Sequence, residues 1–119
     1  MQEINSLQKF VKDNGELQEF KTGQLISDRD KEPNDLHLII EGEARLIFKN
    51  FNKRSTLSKI GPGDFIGLAS LVTEINCEEV RSSSKLSTMK ISRNIFFDFI
   101  KRDTKFRKFI NTNLFQEEV

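Results

Sequence analysis

The spacing of the apolar residues changes at Ser92, and this change constrains the fold more than any other feature of the sequence. In the stretch 17–91 the apolar residues come in short groups separated by glycine and polar residues, which is typical of short strands in a sandwich or barrel. From Ser92 onward they recur at helical spacing, and serine is a favourable N-cap. The sequence therefore predicts a mainly β fold with flanking helices, an antiparallel double-stranded β-helix or jelly roll.

Helices are predicted at both ends of the roll. A short amphipathic helix opens the chain and ends at Asn14-Gly15. Near the carboxyl end, one helix carries Ile95, Phe96, Phe99 and Ile100 on one face, and Asp103 or Thr104 caps a second. We predict one domain over residues 1–119, with an N-terminal helix at 1–14, a β-roll at 15–92 and C-terminal helices at 93–119.

Gly42 interrupts the apolar pattern between two predicted strands. Leu36–Ile40 is a buried-strand candidate, and apolar residues alternate with others from Ala44 onward. The simplest interpretation is a turn at Gly42 that joins two paired strands, followed by the return of residues 54–60 as a third strand.

The composition excludes several classes of function. Nineteen basic and eighteen acidic residues give a net charge of +1, so no overall field favours nucleic acid, and no apolar run is long enough for a membrane segment. One cysteine, Cys77, excludes an internal disulfide, and with one histidine, His37, it leaves too few soft ligands for zinc or iron–sulfur sites. No catalytic constellation is present, so we expect no enzyme activity and no cofactor, and we expect His37 to be packed within its strand. The amino terminus lacks the pattern of a signal peptide, and we expect a cytoplasmic setting.

A glycine-rich stretch, Gly61–Gly67, precedes a predicted helical turn at residues 68–72. Glycines let the backbone approach a ligand closely, and the first amides of a helix attract anions. Arg81, shortly after this stretch, has two interpretations: a phosphate ligand, or a strand arginine paired with a neighbouring glutamate.

These residues together resemble the cyclic nucleotide-binding domain family. The matching segments are Gly23–Leu46, Ile60–Gly67, Arg81-Ser82 and Ser92–Phe96, and the resemblance covers roughly residues 17–103 in the right order. It implies an eight-stranded β-roll with a phosphate-binding cassette, here residues 61–84. It also implies a ligand site formed by Gly67, Leu68, Ala69, Ser70, Arg81 and Ser82.

The sequence departs from the family pattern at Leu68, which occupies the position of the glutamate that holds the ribose hydroxyl. A leucine cannot accept that hydrogen bond, and losing a bond to a charged group costs about 1.5–3 kcal/mol, on the order of ten- to a hundredfold in affinity. The stretch before Arg81 is also a few residues longer than usual and acidic, with Glu74, Glu78 and Glu79 as potential partners for the arginine. Cyclic nucleotide binding is therefore expected to be weak or absent.

Two functions follow from this resemblance. The first is a non-catalytic regulatory module that senses a cyclic nucleotide or another phosphate-bearing ligand and moves its C-terminal helices against an output domain or a second copy of the chain. The alternative is a ligand-independent protein–protein interaction or dimerisation domain of a larger regulator or transporter, with Phe97 as the best contact candidate because it lies off the main apolar stripe. The basic run Lys101–Lys108 is expected to be a solvated helix face, so no direct nucleic acid binding is expected.

Overall fold

The structure is a computed structural model, which describes residues 2–28, 34–50, 53–73 and 79–114. A helix opens the chain, short strands form its middle part, and two helices follow them. The predicted residues Glu74, Cys77 and Glu78 lie outside the described part. The helices are α1 (Gln2–Asn14), α2 (Leu68–Thr73), α3 (Arg93–Arg102) and α4 (Thr104–Leu114). The strands are β1 (Glu16–Phe20), β2 (Leu25–Ser27), β3 (Asp35–Glu41), β4 (Ala44–Asn50), β5 (Lys53–Ile60), β6 (Phe65–Ile66), β7 (Glu79–Ser82) and β8 (Leu86–Ser92).

The strands form two antiparallel four-stranded sheets. One has the order β1-β8-β3-β6 and the other the order β2-β7-β4-β5. The prediction of a mainly β, antiparallel roll flanked by helices is confirmed. No helix in the described ranges is long and apolar enough to cross a membrane.

The predicted pairing of the strands on either side of Gly42 is wrong. β3 lies in the first sheet and β4 in the second, so the chain crosses between sheets at this glycine. Gly42 has a φ of 97°, and a Cβ placed there would lie 2.3 Å from the carbonyl oxygen of Lys85, in the turn between β7 and β8. Only glycine fits this crossing without strain.

Two apolar clusters hold the fold together. The first joins the helices to the outer face of the first sheet, and its buried residues are Leu7, Val11, Leu36, Leu38, Leu71, Ile91, Phe96, Phe99, Phe106 and Ile110. The second lies between the two sheets and contains Phe20, Ile39, Ala44, Ile66, Val80 and Leu86. The apolar faces of both C-terminal helices are therefore used to cover a sheet.

Local signals set the limits of the helices. The side chain of Ser92 accepts a hydrogen bond from the backbone N–H of Ile95, and Asp103 accepts one from Phe106 N–H at 3.0 Å. Both predicted caps are confirmed. Ile95 was expected on the buried stripe, but it is 39% exposed, whereas Phe97 is half-buried against the first cluster and stacks under the guanidinium of Arg93 at 5.6 Å. Ile95 is therefore more exposed than predicted, and Phe97 is partly covered by the domain itself.

Candidate functional site

The glycine-rich turn is fixed to β3 by backbone hydrogen bonds. Gly63 N–H donates to Ile39 O at 2.9 Å, and Ile39 N–H donates to Asp64 O at 3.0 Å. The carboxylate of Asp64 accepts a bond of 2.8 Å from Gly61 N–H within the turn. The side-chain amide of Gln8, on α1, donates to Gly63 O at 2.7 Å. The turn is therefore held on one side by the sheet and on the other by the N-terminal helix.

Gly67 connects β6 to α2 in a conformation that requires glycine. Its φ is 95°, and a Cβ would lie 2.9 Å from the carbonyl oxygen of Asp35. Its own carbonyl accepts the first hydrogen bond of α2, from Leu71 N–H at 2.9 Å. These contacts give Gly67 a structural role whatever else it binds.

The residues that follow Gly67 belong to α2 and face different surroundings. Leu68 is partly buried and packs against the first apolar cluster, Ala69 is half-buried, and Ser70 is buried. The carbonyl of Ala69 accepts a hydrogen bond of 2.9 Å from the hydroxyl of Thr73. Leu68 thus contributes apolar contacts at the position where the resemblance places a ribose-binding carboxylate.

Arg81 lies on β7 and has partners within the protein. Its Nη1 donates to the carbonyl of Gly23 at 3.1 Å, and its Nε lies 3.6 Å from a carboxylate oxygen of Glu79. The Arg81 side chain is 29% exposed and that of Glu79 only 8%. Of the three acidic residues proposed as partners, only Glu79 lies in the described ranges, and it is found beside the arginine.

Ser82 ties the same strand to the turn between β1 and β2. Its hydroxyl donates to Lys21 O and accepts from Gln24 N–H at 3.0 Å, and the side chain is fully buried. Together with Arg81, it fastens residues 21–24 to β7.

The six candidate residues fall into two groups in the structure. Gly67, Leu68, Ala69 and Ser70 are contiguous at the start of α2. Arg81 and Ser82 lie on β7, and their side-chain hydrogen bonds and ion pair in the described ranges are with residues 21–24 and Glu79. Val80 packs in the cluster between the sheets, and because side chains alternate along a strand, Arg81 points to the outer face of its sheet.

His37 is packed, as expected, but within a small polar contact. It is 7% exposed, its Nδ1 lies 3.0 Å from the hydroxyl of Thr88, and the ring of Phe20 meets it edge-on at 5.6 Å. Burial, with a smaller contribution from the charge of Lys90, lowers the pKa of His37 from 6.5 to about 4. A neutral, enclosed imidazole serves packing here. The described residues contain no group of three or more histidine, cysteine, aspartate or glutamate side chains placed to hold a metal ion.

Sequence reasoning missed one feature of charge, a row of basic residues on the second sheet. Arg45 of β4 lies directly opposite both Arg81 of β7 and Lys59 of β5. These residues are far apart in sequence, and only the strand register brings them together, so no local pattern could have revealed the row.

The order of the strands, the turn before α2 and the helices that close the roll agree with one family. A model of the cyclic nucleotide-binding domain matches residues 17–103. The chain belongs to this family. No curated protein sequence matches this chain.

Solved structures with the same fold are distant in sequence. The domain is similar to the EAL enzyme Bd1971 in its cGMP-bound form, with a TM-score of 0.76, 13% identity, and coverage of 85% of this chain and 28% of the other. For a regulatory subunit of a cAMP-independent protein kinase A from Trypanosoma brucei, the TM-score is 0.75 and the identity 19%, and the match covers 98% of this chain and 46% of the other. For the catabolite activator protein of Thermus thermophilus, the TM-score is 0.71 and the identity 19%, and the match covers 82% of this chain and 46% of the other. The cyclic nucleotide-binding domain described here thus spans less than half the length of each of these three proteins.

Proposed function

We propose that this chain is a non-catalytic regulatory domain whose phosphate-binding cassette has a weakened affinity for cyclic nucleotides. The observation that carries the proposal is the position of Leu68. It stands at the start of α2, where the family has its ribose-binding glutamate, and it packs against the apolar cluster that also holds the terminal helices. A ribose hydroxyl brought to this position meets methyl groups and loses its acceptor.

The contacts of Arg81 support the same conclusion. Because the guanidinium points to the outer face of the second sheet, holding a phosphate over Gly67, Ala69 and Ser70 requires it to leave Gly23 O and the carboxylate of Glu79 and also to move to the other side of its strand. The ligand must then replace a charge-assisted contact as well as its own hydration, which lowers the net gain of binding. In this proposal Ser82 keeps its structural bonds.

The packing supports a regulatory rather than a purely structural role for the cassette. Leu68, Leu71 and Val72 of α2 share one cluster with residues of α1, α3 and α4. A ligand that draws α2 toward itself changes the surface against which the terminal helices pack, and it favours the helix arrangement that fits that surface. The output is then a movement of α3 and α4 read by an attached domain or a partner chain.

The similar structures are compatible with this weakening. One similar structure is a cGMP-bound form, and another is a regulatory subunit of a cAMP-independent kinase. The fold therefore occurs in proteins named both for nucleotide binding and for independence from cAMP.

Calorimetric titration with cyclic AMP and cyclic GMP tests the proposal. We expect weak, millimolar binding or none by the natural sequence, and a gain of on the order of tenfold or more in Leu68→Glu, because the restored carboxylate accepts the ribose hydroxyl. Thr73→Glu is the matched control, since it adds the same charge at the exposed end of the same helix. Thermal unfolding of each variant checks that the domain remains folded.

Three results separate the alternatives. Micromolar binding by the natural sequence would contradict a weakened cassette. Loss of binding in Arg81→Ala would assign the phosphate to Arg81. If neither the natural sequence nor Leu68→Glu shows any binding heat at millimolar ligand, the result would favour the ligand-independent interaction domain.

A further inference from the structure

The outer face of the second sheet carries three basic residues side by side. Arg81, Arg45 and Lys59 occupy the same register level on β7, β4 and β5, three neighbouring antiparallel strands. The neighbours of Arg45 along β4, Ala44 and Leu46, pack in the cluster between the sheets, so Arg45 itself points outward. Like charges directly opposite on neighbouring strands repel one another. This arrangement is unfavourable unless something compensates it.

In the described part of the chain, a close ion pair is found at one end of the row. Arg81 is paired with Glu79 and with the carbonyl of Gly23. Arg45 has a buried Nε with no hydrogen-bond partner among the described residues, and the hydroxyl of Ser83 is in the same condition. A buried donor without a partner is costly, and it commonly marks the place of a ligand or ordered water.

Arg45, Lys59 and Ser83 line one open cleft of about 440 Å³, which we call the outer cleft. The exposed hydroxyl-bearing residues Thr22 and Thr56 also line it. Its lining therefore offers one guanidinium, one ammonium and several hydroxyl donors.

One carboxylate, that of Glu43, also lines the outer cleft. Two cations against one carboxylate leave a positive balance of one charge, and Arg81 with Glu79 beside the cleft adds none. A dianion brought between Arg45 and Lys59 would meet two cationic donors and relieve their mutual repulsion.

We propose that the outer cleft binds the phosphate group of a small phosphate monoester, with Arg45 and Lys59 as its direct ligands and Ser83 as a further donor. Arg45 supplies a fork of parallel N–H donors, Lys59 supplies a mobile point charge, and a tetrahedral phosphate can accept from all three at once. The cleft is open, so the remainder of the ligand extends into solvent. This site is distinct from residues 67–70 of the cassette, because Arg45 and Lys59 lie on the face of the second sheet that points away from the cluster between the sheets. Ser82 and Ser83, at the end of the cassette segment, also line the outer cleft.

Nuclear magnetic resonance of the isotope-labelled chain tests this directly, with inorganic phosphate and phosphoserine as probes. Ionic strength is held constant with chloride so that general screening does not change during the titration. We expect saturable shifts of the Arg45 Nε–H resonance and of the Ser83 amide at millimolar probe. Arg45→Gln and Lys59→Gln are each expected to weaken binding on the order of ten- to a hundredfold, as for the loss of a charge-assisted bond.

Lys101→Gln is the matched control, since it removes one positive charge from an exposed position on α3. It should leave the affinity for phosphate unchanged. If Arg45→Gln impairs folding, Lys59→Gln still tests the proposal, because Lys59 is exposed and its replacement should not affect folding. Phosphate should raise the Tm of the natural sequence more than that of Lys59→Gln.

The proposal is overturned by three results. The first is an absence of saturable shifts at Arg45 and Ser83. The second is an equal loss of affinity in Lys101→Gln, which would indicate a general charge effect. The third is binding to vesicles containing phosphatidic acid without binding to either soluble probe, which would assign the surface to a membrane headgroup. Shifts confined to the amides of residues 67–70 would place the anion at the cassette instead, so this test distinguishes the outer cleft from the proposed regulatory site.

Discussion

His37 makes the stability of this domain depend on pH in a way that can be calculated. The imidazole is enclosed by Phe20, contacts the hydroxyl of Thr88, and faces Lys90 across the strand pair. Burial, then the Lys90 charge, lowers its pKa from 6.5 to about 4 in the folded state. The protonated form is therefore much less favourable in the folded chain than in the unfolded one.

The direction of the effect follows from which state takes up the proton first. Between pH 6.5 and about 4 the unfolded chain is protonated at this residue while the folded chain is not. The stabilisation by neutral His37 is complete above pH 6.5 and is lost progressively as the pH falls through this window. Each pKa unit corresponds to 1.36 kcal/mol, so the loss amounts to about 3 kcal/mol, a large share of the ~5–15 kcal/mol by which domains of this kind are stable.

Urea unfolding of the natural sequence and of His37→Gln at a series of pH values measures the effect. Glutamine can still bond to Thr88 but does not titrate, and the carboxylates that also titrate near pH 4 are common to both proteins. We expect the natural sequence to be the more stable at pH 7 and its advantage to shrink by about 3 kcal/mol as the pH approaches 4. His37 is the only histidine in the chain, so one imidazole resonance gives its pKa independently. Parallel pH profiles, or a measured pKa near 6.5, would refute the reasoning.

Three further predictions concern stability and are checked by chemical denaturation. Gly42→Ala should cost more than Gly23→Ala: both have positive φ, but the added methyl meets the Lys85 carbonyl at 2.3 Å in the first case and nothing within 4 Å in the second. Strain alone costs roughly 1–2 kcal/mol, so equal losses would mean that the crossing between the sheets relaxes. Asp103→Ala should lose about 1 kcal/mol with the N-cap of α4, and no loss would show that this end of the helix is stabilised by packing alone. Phe106→Ala, at a fully buried position, should lose about 3–5 kcal/mol, whereas a loss below about 1 kcal/mol would contradict its place in the first cluster.

Features encoded by neighbouring residues could be predicted from the sequence. Ser92 and Asp103 cap helices because their side chains reach an amide three residues onward. Gly15 ends α1 as expected, and its N–H donates to Val11 O at 2.8 Å. The glycine-rich turn was recognised for the same reason, since its conformation depends on residues within it.

Features encoded by pairing between distant strands could not be predicted. The residues near Gly42 do not indicate that β3 and β4 belong to different sheets, because the deciding contact is with Lys85 in another turn. Helical spacing correctly predicted that Phe96 and Phe99 of α3 are buried, but it did not predict which side chains lie at the border of this apolar face. Ile95 and Phe97 are both next to Phe96, and only the position of the helix against the sheet decides which is covered.

The candidate site divides along the same line. The predicted helical turn after Gly67 is confirmed as α2, because it is encoded by contiguous residues. The motif could not show where the Arg81 side chain points, since this depends on strand alternation around Val80. The pairing with Glu79 was among the interpretations offered by sequence because the two residues are close on one strand.

The N-terminal helix contacts both parts of the molecule that the proposed regulation requires. The amide of Gln8 bonds to Gly63 in the glycine-rich turn, and two residues earlier the hydroxyl of Ser6 bonds to the carboxylate of Asp103 at the junction of α3 and α4, at 3.3 Å. Between them, Leu7 is fully buried in the cluster that holds Leu71 of α2. In the proposed regulation, a shift of the cassette would act on the terminal helices through α1 as well as through direct packing. These bonds and this burial do not involve the side chain of Leu68, so the contacts between the cassette and the helices belong to the fold. In the proposed function, the leucine at position 68 changes only which ligand can shift them.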